Sequence, residues 1–250
     1  MTTIPIDPVL VTAFALALVR ASAWLFISPP FNTRMVPIPV KAGVAAALAL
    51  AAAPHVADPE LPMATGPFVA ALLTQVVIGA VLGLLTLFLV QAVQAAGSLV
   101  DLFAGYSLAT IYDPTSDAQA SIFGRFYQLL AITLMFTTNA HLILVNGFFR
   151  SFEAVPVGGI PVSDAASLLT DNLGQFLIAA LEIAGPVLAC LFLTELTLGL
   201  LTRAAPNLNV FALAFPLRVV VALVVVGIAL PLLAPAIENL VLKAVAPFGG

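Results

Sequence analysis

Residues 67–100 read PFVAALLTQVVIGAVLGLLTLFLVQAVQAAGSLV, and no charged residue stands between Glu60 and Asp101. A stretch of this composition is a membrane helix, because only internally hydrogen-bonded backbone survives in hydrocarbon. It is too long for a simple span. About 34 helical residues reach roughly 50 Å, against a hydrocarbon core of about 30 Å. The segment must therefore tilt, kink, fold into a hairpin or stand out of the bilayer against other protein. Gly79 and Gly83 share one face of it, which permits a close helix neighbour.

The rest of the chain has the same character. Hydrophobic residues make up 62% of the 250 and charged residues only 8%. A soluble domain carries about 25% charged residues to cover its surface, so most of this surface meets lipid or other apolar protein. The net charge of −4 argues against nucleic acid, which selects a basic face. The single cysteine, Cys190, excludes an internal disulfide and a cysteine metal site, and it reads as a small buried hydrophobe. "MTTIPIDP" offers no basic residue for a signal peptide, so the first apolar run is expected to remain in the mature protein.

Six apolar blocks follow from the pattern: about Val9–Ile27, Ala42–Ala53, Pro67–Val100, Phe126–Phe149, Leu173–Thr202 and Val210–Ile237. The second is short for a span. Prolines 186, 216, 231 and 235 fall inside blocks and are expected to bend their helices. Arg34 with Lys41, and Arg203 with Arg218, lie in breaks that hold no acid and suit the cytoplasmic side. Asp58, Glu60, Glu153, Asp164 and Asp171 suit the outside. Six spans then place both termini outside.

Ionisable residues within the blocks are few: Arg20, His141, Glu182 and Glu195. Arg20 precedes Trp24 by four residues, so the two share a face and could stack. Two readings stay open for Arg20, a lock onto Glu182 or Glu195 and a snorkel to the interface. Glu182 and Glu195 are 13 residues apart and point to different helix faces. Either could relay protons; a hydrogen bond to a neighbouring helix or subunit is the plainer role. His141, near Asn139 and Asn146, reads as a neutral histidine in a helix interface. No catalytic constellation, phosphate loop or metal spacing appears, so no cofactor is expected.

One segment breaks the apolar pattern. "AGYSLATIYDPTS" joins two apolar blocks; Gly105 permits a bend and Pro114 forbids continued helix. Its neutral aromatic and aliphatic composition suits either a segment buried at membrane depth that seals a hole by contact or a surface loop with an interfacial helix.

Taken together, "AGSLVDLFAGYSLATIYDPTSDAQASIFGRF", "HLILVNGFFRSFEAVPVGG", "LTELTLGLLTRAAPNLNVFALAFPLR" and "VRASAWLFISPPFNTRMVPIPVKAG" resemble the FliR/SctT family of type III secretion export-gate subunits, with the flagellar FliR branch fitting better. Four segments in register cover nearly the whole chain. One departure is Ala140, where the family has glycine before the histidine. The chain ends soon after its last block, so no fused FlhB-like part is expected.

The resemblance implies an all-α, polytopic membrane protein of long, kinked helical hairpins that pack into a helical hetero-oligomer. It implies one export-gate domain over residues 1–250. It further implies FliP-like and FliQ-like subunits as obligate partners, with FlhB and FlhA docking from the cytoplasmic side of the bacterial inner membrane, in the flagellar basal body. Unfolded flagellar proteins would pass through the pore, and the subunit would not be an enzyme. The matching stretch of about 105–117 would be the plug of the closed channel, formed by Gly105, Tyr106, Ser107, Leu108, Ala109, Thr110, Ile111, Tyr112, Asp113 and Pro114. Deleting Tyr106–Tyr112 is then expected to leave assembly intact and to make the membrane leak. The competing class is a proton-coupled secondary transporter using Glu182, Glu195 and His141, although the halves show no convincing inverted repeat.

Overall fold

The computed structural model describes residues 7–29, 31–33, 36–58, 61–106, 121–155, 157, 162–205 and 209–248. Among them are seven α-helices and no strand: α1 Pro8–Ile27, α2 Ile38–Val56, α3 Thr65–Ala104, α4 Ile122–Thr137, α5 Ala140–Ala154, α6 Val162–Ala204 and α7 Val210–Val245. A 3-10 turn, Ala246–Phe248, follows α7. Five helices are long and apolar enough to cross a membrane, or six spans if α4 and α5 count as one. The chain is an all-α polytopic membrane protein.

The apolar block at 67–100 is one unbroken helix. At 40 residues, α3 is roughly 60 Å long, about twice the hydrocarbon thickness. No hairpin interrupts it. α6 and α7 are comparably long at 43 and 36 residues, and they run on through Pro186 and through Pro216, Pro231 and Pro235. α2 is longer than its apolar block: it starts at Ile38, caps on Pro37 and takes in Lys41. Proline at the first turn costs no hydrogen bond there.

Two sequence boundaries are corrected. The block at 126–149 is two helices. α4 stops at Thr138, and Asn139 takes φ = 60°, a left-handed conformation that asparagine tolerates better than other side-chain-bearing residues. The stretch after Arg150, read as a break, already contains the first turns of α6, which begins at Val162. Its Asp164 and Asp171 are helical residues and not loop residues.

The chain divides into two compact units. The first comprises residues 1–88, 141–173 and 241–250; the second comprises 89–140 and 174–240. In the first unit, Ala13, Leu16, Ala53, Val56, Leu61 and Ala71 form a buried cluster joining α1, α2 and the start of α3. Small residues set the closeness of this contact, with Ala13, Ala17 and Ala21 on α1 and Ala45, Ala49 and Ala52 on α2 all buried. Asp7 caps α1, its carboxylate accepting from the Val9 N–H at 2.9 Å, with Pro8 in the first turn.

Gly79 and Gly83 do admit a close neighbour, and the neighbour is α1. A Cβ on Gly79 would lie 2.8 Å from the Ala23 Cβ, and one on Gly83 would lie 2.7 Å from the Ile27 Cβ.

The second unit contains the end of α3, α4, most of α6 and most of α7. On α4, Phe123, Tyr127, Ala131 and Met135 recur every four residues and are all buried. Ile122, Phe126, Leu129 and Phe136 on its other side are exposed. This is an amphipathic stripe in which both faces are apolar, as expected where lipid or another chain stands in for water.

Candidate functional site

Two groups of polar side chains stand out, one in each unit. The first surrounds Arg20. Its side chain is fully buried. Nε donates to Gln75 Oε1 at 2.6 Å, Nη1 to Ser151 Oγ at 3.0 Å and Nη2 to the Val155 carbonyl at 3.0 Å. Ser151 is itself oriented by donating to the Phe148 carbonyl at 2.6 Å. The guanidinium carbon lies 3.9 Å from the centroid of the Phe152 ring. These acceptors are all neutral, so the expected lock onto Glu182 or Glu195 is not formed, and neither is the snorkel.

The reason lies in the register of α1 against α5. Arg20 and Trp24 are one turn apart on α1, and Phe152 and Phe148 are one turn apart on α5. Arg20 stacks on Phe152 while Trp24 stacks on Phe148, with centroids 5.2 Å apart and planes 13° off parallel. The two rungs run antiparallel. Arg20 and Trp24 therefore stack across to α5 and not on each other. The Trp24 N–H donates to Thr86 Oγ1 on α3 at 3.4 Å, tying in a third helix. Nothing in single-residue reading pointed to Gln75, Ser151 and Phe152. Their polarity and aromaticity at a spacing compatible with one arginine was the available signal.

The second group lies where α3 ends and α4 begins. α3 closes with the 6→1 and 5→2 bonds of a glycine C-cap: the Tyr106 N–H donates to the Asp101 carbonyl at 3.1 Å and the Gly105 N–H to the Leu102 carbonyl at 3.3 Å. Gly105 has φ = 86°, which an L side chain rarely adopts. The expected bend at Gly105 is therefore present as a helix stop. Tyr106 then sets its ring edge-on between Phe123 of α4 and Phe215 of α7, at 5.8 and 6.1 Å.

Asp101 fastens the other end. Its carboxylate accepts from the Ser121 hydroxyl, from the Phe123 N–H at 3.0 Å and from the Gly124 N–H at 3.4 Å. Ser121 Oγ accepts from the Gly124 N–H at 2.8 Å, so α4 has its own cap and a borrowed one. An anionic side chain at a helix N-terminus also meets the positive end of the helix dipole. Gly97, one turn before Asp101, lets α3 come this near: a Cβ there would lie 2.8 Å from the Gly124 Cα. The proposed plug residues Ser107, Leu108, Ala109, Thr110, Ile111, Tyr112, Asp113 and Pro114, like Asp117, lie outside the described residues.

The remaining candidates fall apart from each other. Glu195 pairs with Arg218, which also donates through Nη2 at 3.0 Å. Arg218 sits two turns inside α7, so its charge is spent within the α6–α7 pair, and the orientation argument at that break rests on Arg203. Glu182 is exposed on α6. His141 is half-buried near the start of α5. Lys41 is buried and donates to the Thr33 carbonyl at 3.2 Å. Among the described residues no cluster of three or more His, Cys, Asp or Glu could hold a metal.

The family model described as bacterial export proteins, family 1, matches residues 11–244. That is nearly the whole chain, both polar groups included. The chain belongs to this family. Flagellar biosynthetic protein FliR of Escherichia coli K12 is 33% identical over 89% of this chain and 86% of its own length. FliR of Bacillus subtilis 168 is 29% identical over 91% of this chain and 89% of its own. The Yop proteins translocation protein T of Yersinia pestis is 29% identical over 84% and 82%. The relatives of this chain thus carry both flagellar-biosynthesis and Yop-translocation names, and the FliR/SctT resemblance of the sequence is the correct one.

Proposed function

We propose that this chain is the pore-forming FliR subunit of a flagellar type III export gate in the bacterial inner membrane. It would work as one export-gate domain over residues 1–250, without catalysis of its own. In this reading it assembles with FliP-like and FliQ-like subunits, receives FlhB and FlhA on the cytoplasmic side, and passes unfolded flagellar proteins. Residues 105–117 plug the channel when no chain is in transit.

The observation that carries the plug reading is the anchored base of that segment. The glycine stop after α3, the Tyr106 ring between Phe123 and Phe215, and the Asp101 clamp on Ser121 hold both ends of residues 107–120 in one place. The neutral, mostly apolar sequence between those two anchors suits a seal made by contact, which parts without breaking strong bonds.

The apolar outer surface supports the partner reading. In their most apolar stretches, 33% of α6 residues and 22% of α7 residues are buried within the chain. Leu193, Leu200, Ile228 and Leu232 are among the side chains left bare. Faces of this extent need lipid or other subunits. The transporter reading has less to stand on, since Glu195 is occupied by Arg218.

The test is conductance. Deleting residues 107–112 while keeping Tyr106 should leave the co-expressed complex intact by native mass and raise resting ion flux in reconstituted membranes. An intact complex with unchanged flux would end the plug reading.

A further inference from the structure

Glu182 sits near the middle of α6, whose 43 residues run from Val162 to Ala204. It is exposed, and no hydrogen bond or ion pair reaches it among the described residues. Its surroundings are bare hydrocarbon: Leu177, Ile178 and Leu181 are 59%, 58% and 57% exposed. A lone carboxylate on a lipid-facing helix is expensive, and such residues are found facing protein and paired. The face is therefore one that another helix covers.

Charge decides what covers it. Among the described residues, a second copy of this chain offers no uncommitted cation near the middle of a helix. Arg20 is buried and bonded, and Arg218 is committed to Glu195. Lys41 and Arg125 lie in the first turns of their helices, and Arg150, Arg203 and Lys243 near the ends of theirs. Leu177, Ile178 and Leu181 offer apolar contact to any helix, while a cation is the partner that would both bond and neutralise the Glu182 carboxylate.

We propose that the Glu182 face of α6 is a docking surface for a membrane helix of a different subunit, one that carries a lysine or arginine at mid-depth. This rests on the export-gate reading and names the chemistry of one of its contacts. Arginine would suit best where both carboxylate oxygens are to be satisfied at once.

The experiment uses the full chain co-expressed with its FliP-like and FliQ-like subunits. A photoreactive benzoylphenylalanine replaces Ile178, one turn from Glu182, and the cross-linked peptides are identified by mass. The expected product joins α6 to another chain within about two turns of a lysine or arginine. In parallel, Glu182→Lys should lower the yield of mixed complex at least tenfold. Changing the partner's cation to glutamate should restore it. Glu182→Gln, which keeps shape and hydrogen bonding, should lower the yield less.

Products with lipid alone, with a second copy of this chain, or with a helix lacking a cation would overturn the proposal, as would a Glu182→Lys complex formed in full yield. If the unaltered chain forms no mixed complex at all, the export-gate reading fails first and this inference falls with it. If the mixed complex forms and the cross-link finds lipid, only the inference fails.

Discussion

A buried arginine normally implies a carboxylate nearby, and Arg20 has none among its bonded acceptors. It is held by an amide oxygen, a hydroxyl, a backbone carbonyl and an aromatic face. Each hydrogen bond between membrane helices is worth about 0.6–2 kcal/mol, so the set joins α1, α3 and α5 more firmly than any one bond could. Arg20→Ala should lower the thermal midpoint of the purified protein by several degrees and reduce complex yield more than it alters resting flux. Arg20→Lys should not recover the loss, because an ammonium cannot bond in three directions from one plane and stack as well. A thermal scan of the three proteins in detergent decides it, and equal midpoints would remove Arg20 from this role. Asp101 invites a similar test. Asp101→Ala strips acceptors from Ser121, Phe123 and Gly124, at about 1–3 kcal/mol for buried donors left unpaired. Amide exchange over residues 121–125 should quicken at least tenfold; unchanged protection would mean that Ser121 alone caps α4.

Among the elements, glycines divide cleanly by what faces them. Gly79 meets Ala23 of α1 and Gly97 meets the backbone of α4, whereas a Cβ on Gly43 would meet nothing within 4 Å. Gly79→Ala and Gly97→Ala should therefore each destabilise by about 1–3 kcal/mol through forced separation of helices. Gly43→Ala, in an open position of α2, should be neutral or stabilise by up to about 1 kcal/mol. Detergent-unfolding midpoints of the three variants provide the comparison, and a loss at Gly43 equal to that at Gly97 would contradict it.

Much of this level was legible in the sequence. The apolar blocks, a bend at Gly105 and the closeness allowed at Gly79 and Gly83 all follow from composition and spacing. The break at Asn139 was hidden because the polar run 137–141 is short, lies between apolar flanks and holds no proline, glycine or Lys, Arg, Asp or Glu. The early start of α6 was hidden because proline and glycine in the preceding stretch masked helical residues beyond them. The partners of Arg20 come from α3 and from the end of α5, and no local pattern announces a contact across more than a hundred residues.

For the whole molecule, membership of the bacterial export proteins, family 1, and the bare apolar faces of α6 and α7 lead to one expectation. The tagged chain, expressed with its FliP-like and FliQ-like neighbours and extracted in mild detergent, should appear by native mass in a mixed complex holding one copy of it. A stable, functional particle of this chain alone would refute the assembly reading.

The hold on Arg20 also sets an order of events during synthesis. Gln75 follows it by 55 residues, while Ser151 and Val155 follow by 131 and 135. At roughly 5–20 residues per second, the ribosome delivers α5 on the order of ten seconds after α1. During that interval α1 must enter the bilayer with its arginine unsatisfied, at about 2.5–3.5 kcal/mol if it lies at the centre of the span. The strongly apolar remainder of α1 can offset that cost at the translocon. α1 is thus made well before it is completed, and the nascent chain carries an open socket for α5 until the chain as far as Val155 has left the ribosome.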